Sequence, residues 1–222
     1  MKTIKSFVIR QRTTVAQNQA IEEFATSYIL ASNQLEWVNS DSPLVVEIGF
    51  GTGDATWQIA KQHPEINYLA IDVYLAGIGN LLLKIKEHDL ENIRIINDDA
   101  VAVLQNSAFL ARLSGVHIFC PDPWPKNRHH KRRLLQPKFI IHLLSCLLAT
   151  GYIHIITDHS SYMEFIKVAI EVAIADFSQK QGRKYLYHLY QDQPYNDRPK
   201  TKFEQRAIAH GGHIWDFVIY AQ

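Results

Sequence analysis

The chain has 222 residues, 47% of them hydrophobic and 20% charged, with a formal net charge of +1. That length and apolar content suffice for a globular fold without disulfides or metal, and with only Cys120 and Cys146, outside any C-x-x-C pair, neither a disulfide framework nor a zinc site is expected. No apolar run nears the roughly 20 residues that span a bilayer, no signal-peptide stretch opens the chain, and so near-neutral a protein can meet nucleic acid only through a local basic patch.

Residues 1–43 read as a helical N-terminal extension. Ala16, Ala20, Ile21, Phe24 and Tyr28 recur near helical spacing and predict a helix over 16–30. The polar run Asn39-Ser40-Asp41-Ser42-Pro43 predicts a linker. From residue 44 to 222 a single domain is expected. Its strands fall at 44–48, 67–71, 92–96, 116–120 and 152–157, and its helices at 54–62, 76–87, 100–109, 139–148 and 162–177. This alternation predicts an α/β fold, a three-layer Rossmann-like sheet that is mostly parallel. Residues 185–190 and 214–220 read as two further strands with no helix between them, which predicts an antiparallel edge strand. The polar loop between them, 191–206, is long enough to be functional.

The first strand runs into Glu47-Ile48-Gly49-Phe50-Gly51-Thr52-Gly53-Asp54. Glycines here let the backbone turn sharply and approach a ligand. The last position of a dinucleotide fingerprint falls on Asp54, whose charge opposes a pyrophosphate and argues against a dehydrogenase. Asp72 ends the second strand, placed to accept ribose hydroxyls. Asp99 follows the third strand, placed to receive an adenine amino group. Glu47, Gly49, Gly51, Gly53, Asp72 and Asp99 together make the pattern of an S-adenosylmethionine (SAM) pocket, with Asp98 a solvated neighbour.

The fourth strand runs into the string PDPWPKNRHHKRR, residues 121–133. Its three prolines stiffen the turn and remove backbone donors, which fixes Asp122 and Trp124 at the carboxyl edge of the sheet, where open parallel sheets bind ligands. Trp124 either stacks on a base or packs under the loop. Lys126, Arg128, Lys131, Arg132 and Arg133 form the local basic patch, and each phosphate it neutralises adds about one unit to the salt slope of binding. His129 and His130 read as phosphate or water contacts, and no metal is expected.

This string closely resembles the signature of bacterial tRNA (guanine-N7)-methyltransferases. EIGFGTG (47–53) is similar to that family's first motif, RPKTKFEQR (198–206) to its late substrate loop, and GHIWDF (212–217) to its last strand. Asp72 stands where the family has Glu, and Ala207 where it has Gly. The resemblance implies a class I SAM-dependent methyltransferase acting on a variable-loop guanine of tRNA; two reduced thiols and no export signal predict a cytoplasmic protein, a monomer or homodimer. It implies Asp122 as the catalytic aspartate and as a cofactor contact beside Glu47, Asp72 and Asp99. It implies substrate contacts at Lys126, Asp158, Thr201, Lys202, Phe203 and Glu204.

Guanine N7 carries a lone pair and no proton, so attack needs no general base; the enzyme supplies alignment, worth roughly 7–11 kcal/mol. The Watson–Crick edge of guanine presents two donors to a carboxylate: Asp122 first, with Glu204 or Asp158 as alternatives. Lys202 and Arg206 are expected at phosphates and Phe203 in an apolar pocket that anchors the loop. The competing readings are a SAM methyltransferase acting on another RNA or a small molecule, and a non-catalytic RNA-binding relative.

Overall fold

The computed structural model describes residues 5–7, 12–31, 36–39, 41–196 and 198–222. Ser40 of the expected linker lies outside them. Among the described residues seven strands are ordered β3-β2-β1-β4-β5-β7-β6, and the chain divides into two compact units.

The first unit covers Ile9–His117. In it β1 (Leu44–Ile48), β2 (Asn67–Ile71), β3 (Ile93–Ile96) and the start of β4 (Leu113–Phe119) pair in parallel. β1 is Leu-Val-Val-Glu-Ile and buried throughout, a run that reads as a strand covered on both faces. The helices are α1 (Val15–Tyr28), α2 (Asp54–Gln62), α3 (Leu75–Glu87) and α4 (Ala100–Val103). α1 begins at a capping box in which Thr14 and Gln17 satisfy each other's backbone N–H. It packs along α3 closely enough that a Cβ on Gly79 would come within 2.7 Å of the Gln17 side chain. Beyond α1, Leu30 donates to the Ile95 carbonyl at 2.8 Å, a bridge at the β3 edge. The expected helix 100–109 is instead split. α4 stops after one turn, and Asn106 caps a separate 3-10 turn, Ser107–Phe109, through the Ala108 N–H. Asn competes with the helix ladder through its own side chain.

The second unit joins Ile118–Gln222 with residues 5–7. α5 (Pro137–Cys146) opens with proline in its first turn, and β5 (Leu147–Thr157) follows without a break. The expected helix 139–148 therefore ends two residues early, and 147–151 are strand. α6 (Ser160–Gln181) stops at Gly182, φ 71°. β7 (Trp215–Ala221) lies between β5 and β6 (Tyr185–Gln191) and is antiparallel to both. The expected loop 191–206 contains a helix, α7 (Lys202–Ala209), which sequence periodicity did not disclose.

Among the described residues no helix is long and apolar enough to cross a membrane, and no group of three His, Cys, Asp or Glu side chains is placed to hold a metal. Cys120 and Cys146 are free thiols, half-buried and buried respectively.

Candidate active site

In the first unit, the loop after β1 is held open by backbone geometry. Gly49 and Gly51 adopt φ of 74° and 59°, a region that costs an L-residue about 1–2 kcal/mol. A Cβ at either would meet nothing within 4 Å, so the loop presents bare backbone to open space. Gly53 precedes α2 in the same left-handed region. From behind, α3 presses on the loop: a Cβ at Gly77 would stand 1.7 Å from the Gly51 carbonyl oxygen, and Asn80 Nδ2 donates to the Thr52 carbonyl at 2.6 Å. Gly77, absent from the sequence reading, was signalled by a glycine within a helix, which marks close approach.

The acids have structural duties there. Glu47 is 3% exposed at the end of β1. Asp72 Oδ2 accepts the Gly51 N–H at 2.8 Å, and Oδ1 accepts from Val73 and Tyr74 at 2.7 and 3.0 Å. It ties the end of β2 to the glycine loop. Asp99 caps α4 through the Val101 N–H at 3.0 Å, while Asp98 accepts the Asp99 N–H. A carboxylate has about four acceptor sites; Gly51, Val73 and Tyr74 fill three at Asp72, and Val101 takes one at Asp99.

In the second unit, the turn after β4 is bracketed by strain. Cys120 and Trp124, neither a glycine, have φ of 50° and 44°. Such residues cluster where a site is over-determined by its surroundings. Between them Pro121 and Pro123 frame Asp122, which is exposed. Cys120 N–H donates to the Ile156 carbonyl at 2.9 Å. Its thiol lies 3.7 Å from Thr201 Oγ1. Burial, then the charges of Glu204 and Asp158, pushes that thiol far above its ordinary pKa.

The basic run divides in three. Lys126, Arg128 and Lys131 are exposed around the 3-10 turn Asn127–Arg132. Arg132 is half-buried, 3.9 Å above the Trp124 ring; its Nε donates to the Lys5 carbonyl at 3.1 Å and its Nη2 to that of Phe7 at 3.4 Å. Trp124 Nε1 donates to the Ser6 carbonyl at 2.9 Å, so this tryptophan is anchored by the N-terminal segment, a contact the sequence did not announce. Arg133 corrects the expectation of a phosphate ligand. It is 3% exposed and donates to the Pro123 carbonyl at 2.9 Å and to the Ser161 carbonyl and Oγ at 3.3 and 3.2 Å. Its guanidinium lies over the Tyr162 and Phe165 rings.

The late motif also sorts itself. Thr201 caps α7 in a box with Glu204. Glu204 is 2% exposed and accepts two hydrogen bonds from Arg198, at 2.9 and 2.6 Å, and one from the Thr201 N–H at 2.9 Å. It is therefore corrected from a guanine acceptor to the partner of a buried arginine. Phe203 is 56% exposed rather than seated in an apolar pocket, because the residue that α7 turns inward is its neighbour Glu204. Lys202 and Arg206 are exposed. Asp158 is half-buried after β5, and the residue preceding α6 in the capping position is His159, whose side chain makes no capping bond.

Residues 41–217 match the family model described as a putative methyltransferase. A tRNA (guanine-N(7)-)-methyltransferase of Neisseria meningitidis is 44% identical over 98% of this chain and 91% of its own length. The protein of that description from Methylobacillus flagellatus is 41% identical over the same shares. Among solved structures, a 16S rRNA (adenine(1408)-N(1))-methyltransferase of Catenulisporales acidiphilia, crystallised with cosubstrate SAM, superposes with a TM-score of 0.58 at 14% identity, covering 86% of this chain and 92% of that one. An antibiotic-related methyltransferase superposes with a TM-score of 0.55 at 12% identity, over 99% and 98%. These two likenesses show a shared fold. With near-complete coverage and more than two-fifths identity to its curated relatives, the chain belongs to the tRNA (guanine-N(7)-)-methyltransferase family.

Proposed function

We propose that the protein transfers a methyl group from SAM to N7 of a guanine in tRNA, working in the cytoplasm. The observation that carries this reading is the exposed Asp122, framed by two prolines and two left-handed residues, with Lys126, Arg128 and Lys131 exposed in the next turns.

The residues present fit the cofactor. The bare backbone at Gly49 and Gly51 leaves room that any side chain would fill. Glu47 offers a buried carboxylate, Asp72 stands at the glycine loop where ribose hydroxyls would meet it, and Asp99 after the end of β3 where an adenine amino group would. When bound, SAM supplies an electrophilic methyl group on a positively charged sulfur. Asp122 accepts from N1–H and the 2-amino group of guanine, bonds that strengthen as the base becomes cationic. Asp158 stands second in that role. Lys126, Arg128 and Lys131 bind phosphates, with Lys202 and Arg206 extending that surface. Phe203 is exposed and suited to base stacking, worth about 1–3 kcal/mol. Arg132, Arg133, Thr201 and Glu204 hold these groups in place.

The test is to incubate tRNA with the protein and SAM and to digest it for nucleoside mass spectrometry. 7-Methylguanosine above the level of a protein-free control is expected. Its absence, or equal methylation of free guanosine, sinks the reading.

A further inference from the structure

Behind the Asp122 turn lies a polar pair that takes no part in the chemistry above. His154 on β5 and Asp216 on β7 are each 1% exposed, and His154 Nε2 lies 2.6 Å from Asp216 Oδ1. In the ladder His154 pairs with Val218 and Ile156 with Asp216, so the two are diagonal neighbours on one face of the sheet. The flanking positions Ile153, Ile155 and Phe217 are fully buried. Replacing a buried pair of this kind by apolar residues of similar volume is often neutral or stabilising, which directs attention to what this pair holds.

Two sets of contacts lead away from it. Asp216 Oδ2 accepts the backbone N–H of Tyr195 at 3.1 Å, and the Tyr195 ring meets the imidazole edge-on at 5.6 Å. Tyr195 lies in the segment that leads to Arg198 and the start of α7. On another side, the Phe119 ring meets His154 edge-on at 5.2 Å. Phe119 is the last residue of β4 and also lies under the Arg198 guanidinium, at 4.7 Å. The pair thus touches both the strand end that delivers Asp122 and the segment that delivers Thr201, Lys202 and Phe203.

We propose that His154 and Asp216 are positioning residues for the RNA substrate: they fix the segment through Tyr195, and with it the start of α7, relative to the Asp122 turn. This rests on the tRNA reading above. The pair touches no reacting atom. Its action is to make one approach of the late segment persist, which lowers the ordering cost when RNA binds.

The experiment compares the wild-type chain with the double variant His154→Phe/Asp216→Val. Expected are an unchanged melting temperature and SAM affinity, a 10- to 100-fold fall in kcat/KM for tRNA carried mainly by KM, and at least tenfold faster amide exchange at residues 192–196. Tyr195→Pro removes both the N–H donor and the ring that meets His154, and should raise KM similarly. Asp216→Asn keeps an acceptor for Tyr195 and should restore most of the loss. Unchanged KM and exchange in the double variant overturn the proposal, as does a loss of SAM affinity in step with turnover. If the double variant does not fold, a wild-type KM and exchange pattern in Tyr195→Pro overturn it instead. Absence of product from the wild-type chain is a failure of the tRNA reading, and the exchange comparison still decides the positioning claim.

Discussion

Arg133 Nε donates at 2.9 Å to the carbonyl of Pro123, ten positions earlier, closing a loop around Trp124 and the basic turn. A proline-rich turn leaves carbonyls without nearby backbone donors, and a buried guanidinium with five N–H groups is suited to gather them. The cation therefore shapes the turn from inside. Arg133→Met should lower stability by about 2 kcal/mol or more, the range for hydrogen bonds to a charged group, read as a drop in melting temperature. Arg128→Gln and Lys131→Gln should leave the melting temperature alone and each flatten the salt dependence of tRNA binding by about one unit. The opposite assignment of these effects would return Arg133 to the RNA surface.

Asp122→Ala should abolish methyl transfer while sparing the fold, since the side chain is exposed and its neighbours hold the turn, and any loss of SAM affinity from the expected cofactor contact should be the smaller effect. Asp122→Asn presents one acceptor and one donor to guanine's two donors, so it should fall nearly as far, by at least two orders of magnitude in kcat/KM. Single-turnover rates beside a SAM titration separate the two quantities.

His129 titrates within a field of cations. Partial desolvation, then Arg128, Arg132, Lys126 and Lys131, holds its imidazole below its ordinary pKa. The free protein is thus neutral there at pH 7. Bound phosphates offset those cations and raise the pKa, so binding takes up a proton. Affinity should rise as pH falls through the window between the raised and the depressed values, below about pH 7. Titrations at pH 7.5 and pH 5.5 should show a larger gain for wild type than for His129→Gln. Equal gains place His129 away from phosphate.

Gly77 carries the closest approach in the cofactor unit. A methyl group there would overlap the Gly51 carbonyl at 1.7 Å, so Gly77→Ala must displace either α3 or the loop. Overpacking of this kind costs about 1–3 kcal/mol. Because Asp72 also holds Gly51 by its N–H, the strain should appear as a weakened SAM affinity, measured calorimetrically, beyond the drop in melting temperature.

Much of this could be read from the chain because backbone and side chain made one demand. β1 and β2 run residue for residue where their apolar stretches lie, and α2 begins where the glycine loop ends, since strand burial and helix start are local signals. The missed helix, α7, is only eight residues long and leaves Phe203 and Ile208 exposed, too short a run for periodicity to stand out within a polar loop; its clearest signal was the capping box of Thr201 and Glu204. Likewise a run of five cations does not say which of them the fold turns inward. Arg128 and Arg133 differ only in what tertiary packing brings to them, and the carbonyls of Pro123 and Ser161 meet one and not the other.

Glu204 and Arg198 are the sharpest instance. Both are nearly inaccessible, 3% and 4% exposed at the side chain, and their two parallel hydrogen bonds match the fork geometry of guanidinium and carboxylate. Removing one partner strands a buried charge, so Glu204→Ala should cost about 3–5 kcal/mol. Replacing both, as Arg198→Met/Glu204→Leu, removes charge and desolvation together and should recover most of that stability. Were Glu204 instead a guanine ligand, the single variant would keep its melting temperature and lose turnover. Thermal melts of the two variants beside wild type distinguish these outcomes. A double variant that melts like wild type yet methylates poorly assigns the pair to holding the α7 cap, with Thr201, near Cys120.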